Sequence, residues 1–475
     1  MRLRSPVGLF RLTLLSLALS QTCGGNAWAT SDAERIADLE AKLAQSVQQI
    51  ERLANRLDQL EKDKTAQIAA TPAAPAITPA TAATTTTTTE QNARLEAVEH
   101  NLAQLADASA RTPDNAGVPI HGFLDVGYDN SGKQVDDNRK SGFTLGNADF
   151  YLTPDFGGRV KGLLELNFEW NDAGLLTTDT ERMQLGYTVS DNLTVWAGRF
   201  HTPFGYWNTA YHHGAQIQTS VTRPKMIAFE DEGGFVPSHT VGLWATGSVN
   251  WGDGKLDYDA YVGNGQRILS GQLDFNGVRD DNNNKMIGGN LHYRFPGALD
   301  GLILGTHAFR EQVDSYADIL VPGVITNTTQ AVGTSSTPSN STMVTMFGAY
   351  GFYDADDWEI ISEYYHFNDK NLSGNTGNHT SWASFAQIGR NLGGNWIPYA
   401  RYEIAELNQA DNYFYSQTIG SQTLGSGLSY KREVIGLRYD LTPKSALKVE
   451  VNHTDESKDG GQKYNEAMLQ FATRF

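Results

Sequence analysis

The 475-residue chain has a single cysteine, Cys23, and no long apolar run beyond its first twenty residues. The cysteine falls inside MRLRSPVGLFRLTLLSLALSQTCGGNAWA, where Arg2, Arg4 and Arg11 surround an apolar stretch, Leu12 to Leu19, and the segment closes on Ala27-Trp28-Ala29. That order of a basic, an apolar and a small-residue region is a secretory signal peptide over 1–29. A competing reading makes Cys23 a lipidated N-terminus, but Thr22 is bulkier than the small residue such a site carries. With cleavage after Ala29, no thiol remains, which excludes disulfides, thiolate metal sites and cysteine nucleophiles. Apolar segments of about 20 residues, the length a membrane-spanning helix needs, are also missing.

Basic residues are scarce too. Lys and Arg number 37 against 54 Asp and Glu, for a formal charge of -17. Loss of the leader's three arginines takes the mature chain to about -20, which argues against nucleic acid as a partner. What is abundant is glycine and aromatic residues: 47 Gly, 20 Tyr, 20 Phe and 9 Trp. A secreted, cysteine-free, aromatic-rich chain suits an outer-membrane barrel, whose apolar surface is hidden in alternation.

Three segments follow the leader. Over 30–64, Ile36, Leu39, Leu43, Ser46, Ile50, Leu53, Leu57 and Leu60 recur at three-four spacing, with Arg35 and Arg56 at g and Glu40 and Glu61 at e. This is a heptad whose flanking charges favour a parallel, in-register coiled coil. An Ala/Thr/Pro-rich stretch over 65–90 cannot bury a core and reads as a linker. Leu95, Val98, Leu102 and Leu105 resume the heptad over 91–106, and 107–118 forms a second linker. Mixed Ile and Leu at a leave two or three strands open.

From 119 to 475 the period becomes two. In GRVKGLLELNFEW, Val160, Leu164, Leu166, Phe168 and Trp170 share one face; Arg159, Lys161, Glu165, Asn167 and Glu169 share the other. Runs of this kind predict about sixteen strands, near 119–129, 141–152, 158–170, 180–189, 193–200, 239–249, 255–263, 284–295, 300–312, 341–353, 357–367, 378–390, 394–405, 428–441, 444–454 and 465–475. Connections after even-numbered strands are short and turn-like (SDN, WGDG, DAD), while most of those after odd-numbered strands are long and polar. Sorting by parity predicts an all-β, antiparallel transmembrane barrel preceded by a helical coiled coil. An even count returns both ends to one side, which puts the coiled coil in the periplasm.

The stretch YHHGAQIQTSVTRPKMIAFEDEGGFVPSHT, Tyr211 to Thr240, carries the densest chemistry. As a metal site it is poor: adjacent His212 and His213 point opposite ways in an extended chain, and His239 joins Glu230 and Asp231 only if the chain folds back. Catalysis is poorer still, for no G-x-S-x-G or comparable constellation accompanies Ser220 or Ser238. No enzyme activity, metal or cofactor is expected.

The leader, heptads, barrel pattern and aromatic terminus, Phe475, together resemble the trimeric sixteen-stranded porins of Gram-negative bacteria that bear an N-terminal coiled coil, the DcaP-like and phosphate-selective type. That resemblance implies a homotrimer in the outer membrane and a third external loop, here 201–238, that folds inward to narrow the pore. Constriction residues would be His212, His213, Arg223, Lys225, Glu230, Asp231, Glu232 and His239, with Gly233 and Gly234 allowing a bend. Alternation turns Arg159, Lys161, Arg182, Arg199, Arg294, Arg401, Arg432 and Arg438, with Asp149, Glu165, Glu169 and Glu403, toward the lumen. Either these charges pair along the wall, or a basic wall opposes the acidic loop and orients solutes in transit. The expected partners are small hydrophilic, charged solutes, outer-membrane lipid and lipopolysaccharide. The alternative is a structural barrel tethering the envelope to the cell wall through the coiled coil.

Overall fold

The computed structural model describes 119–131, 141–154, 156–170, 176–211, 214–230, 233–269, 271–274, 280–316, 318–326, 329–334, 337–419 and 427–475. The signal peptide, both heptad segments and both linkers therefore lie outside the described residues.

Among the described residues, twenty strands run in chain order: β1 (Ile120–Ser131), β2 (Gly142–Leu152), β3 (Val160–Trp170), β4 (Leu176–Ser190), β5 (Leu193–His201), β6 (His239–Trp251), β7 (Gly254–Asn264), β8 (Arg267–Leu269), β9 (Gln272–Leu273), β10 (Lys285–Arg294), β11 (Leu302–Tyr316), β12 (Asp318–Thr326), β13 (Thr329–Thr334), β14 (Asn340–Ala355), β15 (Trp358–Asn371), β16 (Gly377–Arg390), β17 (Trp396–Glu406), β18 (Tyr430–Thr442), β19 (Ser445–Asp455) and β20 (Lys463–Arg474). Sixteen of them, all but β8, β9, β12 and β13, pair antiparallel with their neighbours and close through β1 against β20, from Phe123↔Arg474 to Ser131↔Glu466. Closure leaves no open edge, the condition for a sheet to cross a bilayer.

The pattern that drives this is plainest in β19. Leu447, Val449 and Val451 are 37%, 50% and 50% exposed, while Lys448 and Glu450, between them, are fully buried. The inversion recurs: Met183, Leu185 and Tyr187 on β4, Ile287 and Leu291 on β10, and Ile435 and Leu437 on β18 face out. Exposed Trp251 and Trp396 lie beside the tight turns, and exposed Tyr128, Phe143 and Trp170 lie at the opposite rim. Apolar residues between two aromatic girdles are what a lipid-facing barrel wall requires. No described helix is long and apolar enough to cross a membrane, which says nothing of strands.

One rim carries tight turns such as 191–192, 252–253, 356–357 and 443–444; the other carries the long connections. Asp356 and Asp357 both take positive φ, 52° and 67°, the conformation that a two-residue hairpin turn needs to match strand twist. Every expected strand has a counterpart. The differences lie at the long-loop rim, where β15 continues to Asn371 and 318–334 forms the hairpin β12–β13, with a register shift between Leu320 and Ile325 spanning Pro322.

Inside the barrel lies an apolar cluster. Phe204, Trp207, Met226, Ile227, Phe235 and Val236 of the β5–β6 connection pack on Ile361, Tyr365 and Phe367 of β15 and Phe385 of β16. Tyr413 and Phe414, from helix α2 (Asn412–Ile419), complete it; the shorter helix α1 (Trp207–Ala210) lies within the connection itself.

Candidate pore constriction

The connection 202–238 leaves and rejoins the wall as a closed base. Phe200 pairs with Thr240 and His201 with His239 across β5 and β6, and the Thr202 amide donates to Ser238 O at 2.8 Å. Asn208 Nδ2 staples the two legs, donating to Thr202 O at 3.0 Å and to Ser238 O at 3.2 Å. His239 is thus the first residue of wall strand β6 and lies outside the loop proper.

Beyond the base the segment has little regular structure, so its buried backbone groups need partners from elsewhere. The inward face of β15–β19 supplies them. Carboxylates take the amides: Glu363 accepts from Tyr206 N (3.0 Å) and Trp207 N (2.7 Å), Glu450 from Val221 N (2.9 Å) and Thr222 N (3.2 Å), and Glu403 from Lys225 N (2.6 Å). Tyr399 OH donates to the same Glu450 at 2.9 Å, and Thr219 Oγ1 donates to Glu359 at 2.9 Å.

Cations take the carbonyls. Arg401 Nη1 donates to Ser220 Oγ (2.9 Å), Thr222 O (3.0 Å) and Gln387 Oε1 (2.9 Å), while its Nε pairs with Glu403 at 2.8 Å. Arg438 Nη1 donates to Gln216 O (2.7 Å) and Gln218 O (2.8 Å). Lys448 Nζ reaches Ser220 O at 3.0 Å and also Ala215 O. Arg432 touches Arg223 O at 3.5 Å and pairs with Glu466 at 3.5 Å. Arg401, Arg432 and Arg438 therefore grip the loop's backbone.

The loop's own charged side chains make contacts of their own. Arg223 Nε donates to Ile227 O at 3.0 Å, and its guanidinium lies 4.0 Å over the Phe229 ring. Lys225 Nζ pairs with Glu456 at 3.2 Å; burial works against its charge, but Tyr464 and Glu456 outweigh this and raise its pKa. Glu230 accepts from Ser238 N at 2.6 Å and from His239 N at 3.3 Å, with His239 Nδ1 3.5 Å from its second oxygen. Burial would raise the Glu230 pKa; the attraction and hydrogen bond of His239 more than offset it and hold the carboxyl below its ordinary range. His239 Nε2 also meets Glu181 at 2.6 Å, and beside it His201 lies 3.5 Å from Glu165, which pairs with Arg182. So Glu230 meets His239 at the start of β6 and lies within the field of Arg199 on β5.

The remaining expected wall residues are scattered. Arg199 Nε bonds Glu181 O at 3.1 Å. Arg294 pairs with Asp257 at 2.6 Å, the exposed Arg159 donates to Val189 O at 3.0 Å, and Lys161 is exposed. Asp149 is fully buried on β2, and Glu169 is part-buried near the end of β3. His212, His213, Asp231 and Glu232 lie outside the described residues. Among the described residues no group of three or more His, Cys, Asp or Glu could hold a metal ion.

Sequence reasoning passed over Glu359, Glu363, Lys448, Glu450 and Glu456. For Lys448 and Glu450 the signal was present: in SALKVEVNHT they alternate with Leu447, Val449 and Val451, so one residue type must face inward.

No protein-family model matches the chain, and no curated protein sequence matches it. Solved structures do. The outer membrane channel DcaP of Acinetobacter baumannii is 12% identical, with 77% of this chain and 99% of that one covered and a TM-score of 0.48. An anion-selective porin from Comamonas acidovorans is 13% identical over 76% and 99%, with a TM-score of 0.48. OmpT, an outer membrane protein of Vibrio cholerae, in a trimer form, is 11% identical over 76% and 99%, with a TM-score of 0.47.

Proposed function

We propose that the chain forms a loop-constricted channel in the outer membrane, through which small hydrophilic, charged solutes diffuse. The observation that carries this is the inversion of the barrel wall: apolar residues outside and ionised residues inside, on sixteen strands closed without an edge. A barrel of about eight strands fills with its own side chains, whereas one of sixteen leaves room for a water path. Here the segment 202–238 occupies part of that room and is held by salt-bridge-strength contacts to the wall. Clamping fixes the aperture, because each charge-assisted contact contributes more than a neutral hydrogen bond.

The proposal includes a trimer, outer-membrane lipid and lipopolysaccharide against the apolar belt, and the coiled coil on the periplasmic side. The field across the lumen would select among solutes. Purified protein in planar bilayers should give stepwise conductance. A folded barrel without conductance would overturn the channel and leave the tether to the cell wall as the function. Neutralising Glu230, Asp231 and Glu232 together should move reversal potentials toward anions; unchanged potentials would place the triplet away from the solute path.

A further inference from the structure

Across the barrel from the clamp on β15–β19, two indoles lie side by side on the inward face. Trp196 of β5 and Trp244 of β6 are direct cross-strand partners, with ring centroids 6.1 Å apart and 20° between the planes. The row continues to Phe200, 5.5 Å from Trp244 at 29°, where it joins the apolar cluster under the loop. Burial changes along it: Phe200 is fully buried, whereas both indoles are half-buried, between the tight turn 191–192 and the base of the loop. Trp196 lies flat on Gly186, its partner on β4, because a Cβ there would come within 2.5 to 2.8 Å of three atoms of its six-membered ring. One indole face is therefore taken by the wall, and the other turns to the lumen. Covering a glycine accounts for where Trp196 lies. The nearly parallel indole beside it needs a further reason.

Polar groups border the two indoles on the side of the short turns. Trp244 Nε1 donates to Asp259 Oδ1 at 2.9 Å, which fixes the orientation of that ring. Thr194 and Thr246, cross-strand partners one inward step away, put hydroxyls along the same edge, with Thr188 Oγ1 3.4 Å from Thr194 Oγ1. One step further, Asp257 holds Arg294 in two places, Nε at 2.7 Å and Nη2 at 2.6 Å, and lies 3.2 Å from His292 Nε2. The Arg294 side chain is still 47% exposed, and a guanidinium has more N–H donors than this pair uses. An anion finds little here, since Arg294 is already matched by Asp257 and Asp259 adds a second carboxylate. A cation meets in Asp257 a charge already answered. A flat apolar surface edged by such paired groups suits a neutral ring with C–H faces and a rim of hydroxyls.

We infer that Trp196 and Trp244 form a saccharide-binding floor in the lumen: a pyranose ring lays its C–H face on the indoles while its hydroxyls bond to Asp257, Arg294 and the threonine hydroxyls. The inference rests on the channel reading above and extends it to neutral solutes. An apolar, aromatic surface with a few placed polar groups is the usual composition of a small-molecule site. The row runs from the cluster at the loop's base toward the short-turn rim, so a sugar on the floor lies below the constriction. Such a site holds its solute loosely, because a channel must bind well enough to admit and weakly enough to release.

The test uses the full chain in planar bilayers with cellobiose, whose ring hydroxyls are equatorial and leave the C–H faces bare. Saturation-transfer NMR of the sugar with the same protein in micelles is the second readout. Cellobiose should interrupt the ion current in proportion to its concentration, and saturation should pass chiefly to its ring C–H protons. Trp196→Ala and Trp244→Ala should each raise the half-blocking concentration about tenfold, and Arg294→Gln should raise it too. If an alanine variant does not fold, Trp196→Phe and Trp244→Phe, which keep a smaller flat ring, should show a lesser rise in the same direction. Block and transfer unchanged in the tryptophan variants overturn the floor. So does sorbitol, an open chain of hydroxyls, blocking as well as cellobiose, or choline or benzoate blocking at lower concentration. A conducting channel in which cellobiose gives neither block nor transfer overturns the floor and leaves the channel standing. Transfer that is lost with the tryptophans, in a barrel that never conducts, supports the floor and overturns the channel.

Discussion

At the scale of single residues, the inward charges are matched to the backbone polarity of the loop they hold. Glu450 is the clearest: it receives Val221 N, Thr222 N and Tyr399 OH, and Lys448, two residues away on the same face, gives to Ser220 O. Glu450→Ala would leave the half-buried Thr222 amide without its acceptor, at a cost of about 1–3 kcal/mol, and Val221 N with only Tyr399 OH at 3.2 Å. The expected result is a lower melting temperature and a larger, noisier conductance; an unaltered current would mean that the loop does not set the aperture. Glu230 gives a pH dependence of known sign. Its folded pKa is lowered by His239, so its stabilisation is full above the ordinary carboxylate range and is lost as pH falls through the lowered value. Hydrogen exchange at the Ser238 amide should therefore stay slow at neutral pH and accelerate only under strong acid, and in Glu230→Gln that acid step should disappear. Which residues face inward was legible from alternation. Which of them meet the loop was not, because the wall partners of Val221 and Thr222 lie 178 to 229 positions away along the chain.

Elements were legible to the extent that one simple force shaped them. A strand with lipid on one side and polar lumen on the other must alternate, so all sixteen wall strands stood out. At the long-loop rim that force ends. The Asp369 and Asn371 positions of β15 keep the inward rhythm, but their outward neighbours Asn368 and Lys370 are polar, and the contrast that marks a strand disappears. The hairpin β12–β13 was hidden for the same reason, with Pro322 as an added break. Within the 202–238 connection, the Gly233–Gly234 pair is a genuine requirement. Gly233 takes φ of 90°, and a Cβ on Gly234 would lie 1.8 Å from Ala228 O. Left-handed backbone costs an ordinary residue about 1–2 kcal/mol, but a clash with fixed backbone forces the turn open. Gly234→Ala should accordingly disturb the channel more than Gly233→Ala, seen as a larger fall in melting temperature and a broader spread of conductance levels. Equal effects would mean that backbone conformation, and not close approach, governs this turn.

For the molecule as a whole, closure depends on the last strand meeting the first. Phe475 exchanges backbone hydrogen bonds with Gly122 at 3.1 and 3.3 Å, and its ring lies 5.9 Å from that of Phe150. Gly122 is glycine for a reason of space, since a Cβ there would come within 2.7 Å of the Phe475 ring. The described wall ladder begins at Ile120, just after Pro119, whose carbonyl accepts from Thr153 N at 3.4 Å. Every described strand of the barrel wall finds its partners within 119–475. Deleting 32–106 should leave a barrel that refolds in detergent, keeps the electrophoretic shift between heated and unheated samples, and melts at the same temperature as the full chain. Its oligomeric state then separates two sources of assembly. If the N-terminal heptads drive the proposed assembly, the truncated barrel sediments as a monomer; if the outward walls drive it, the truncated barrel sediments as the full chain does. Failure to refold would show that closure draws on the N-terminal segment after all, against the self-contained ladder from β1 to β20.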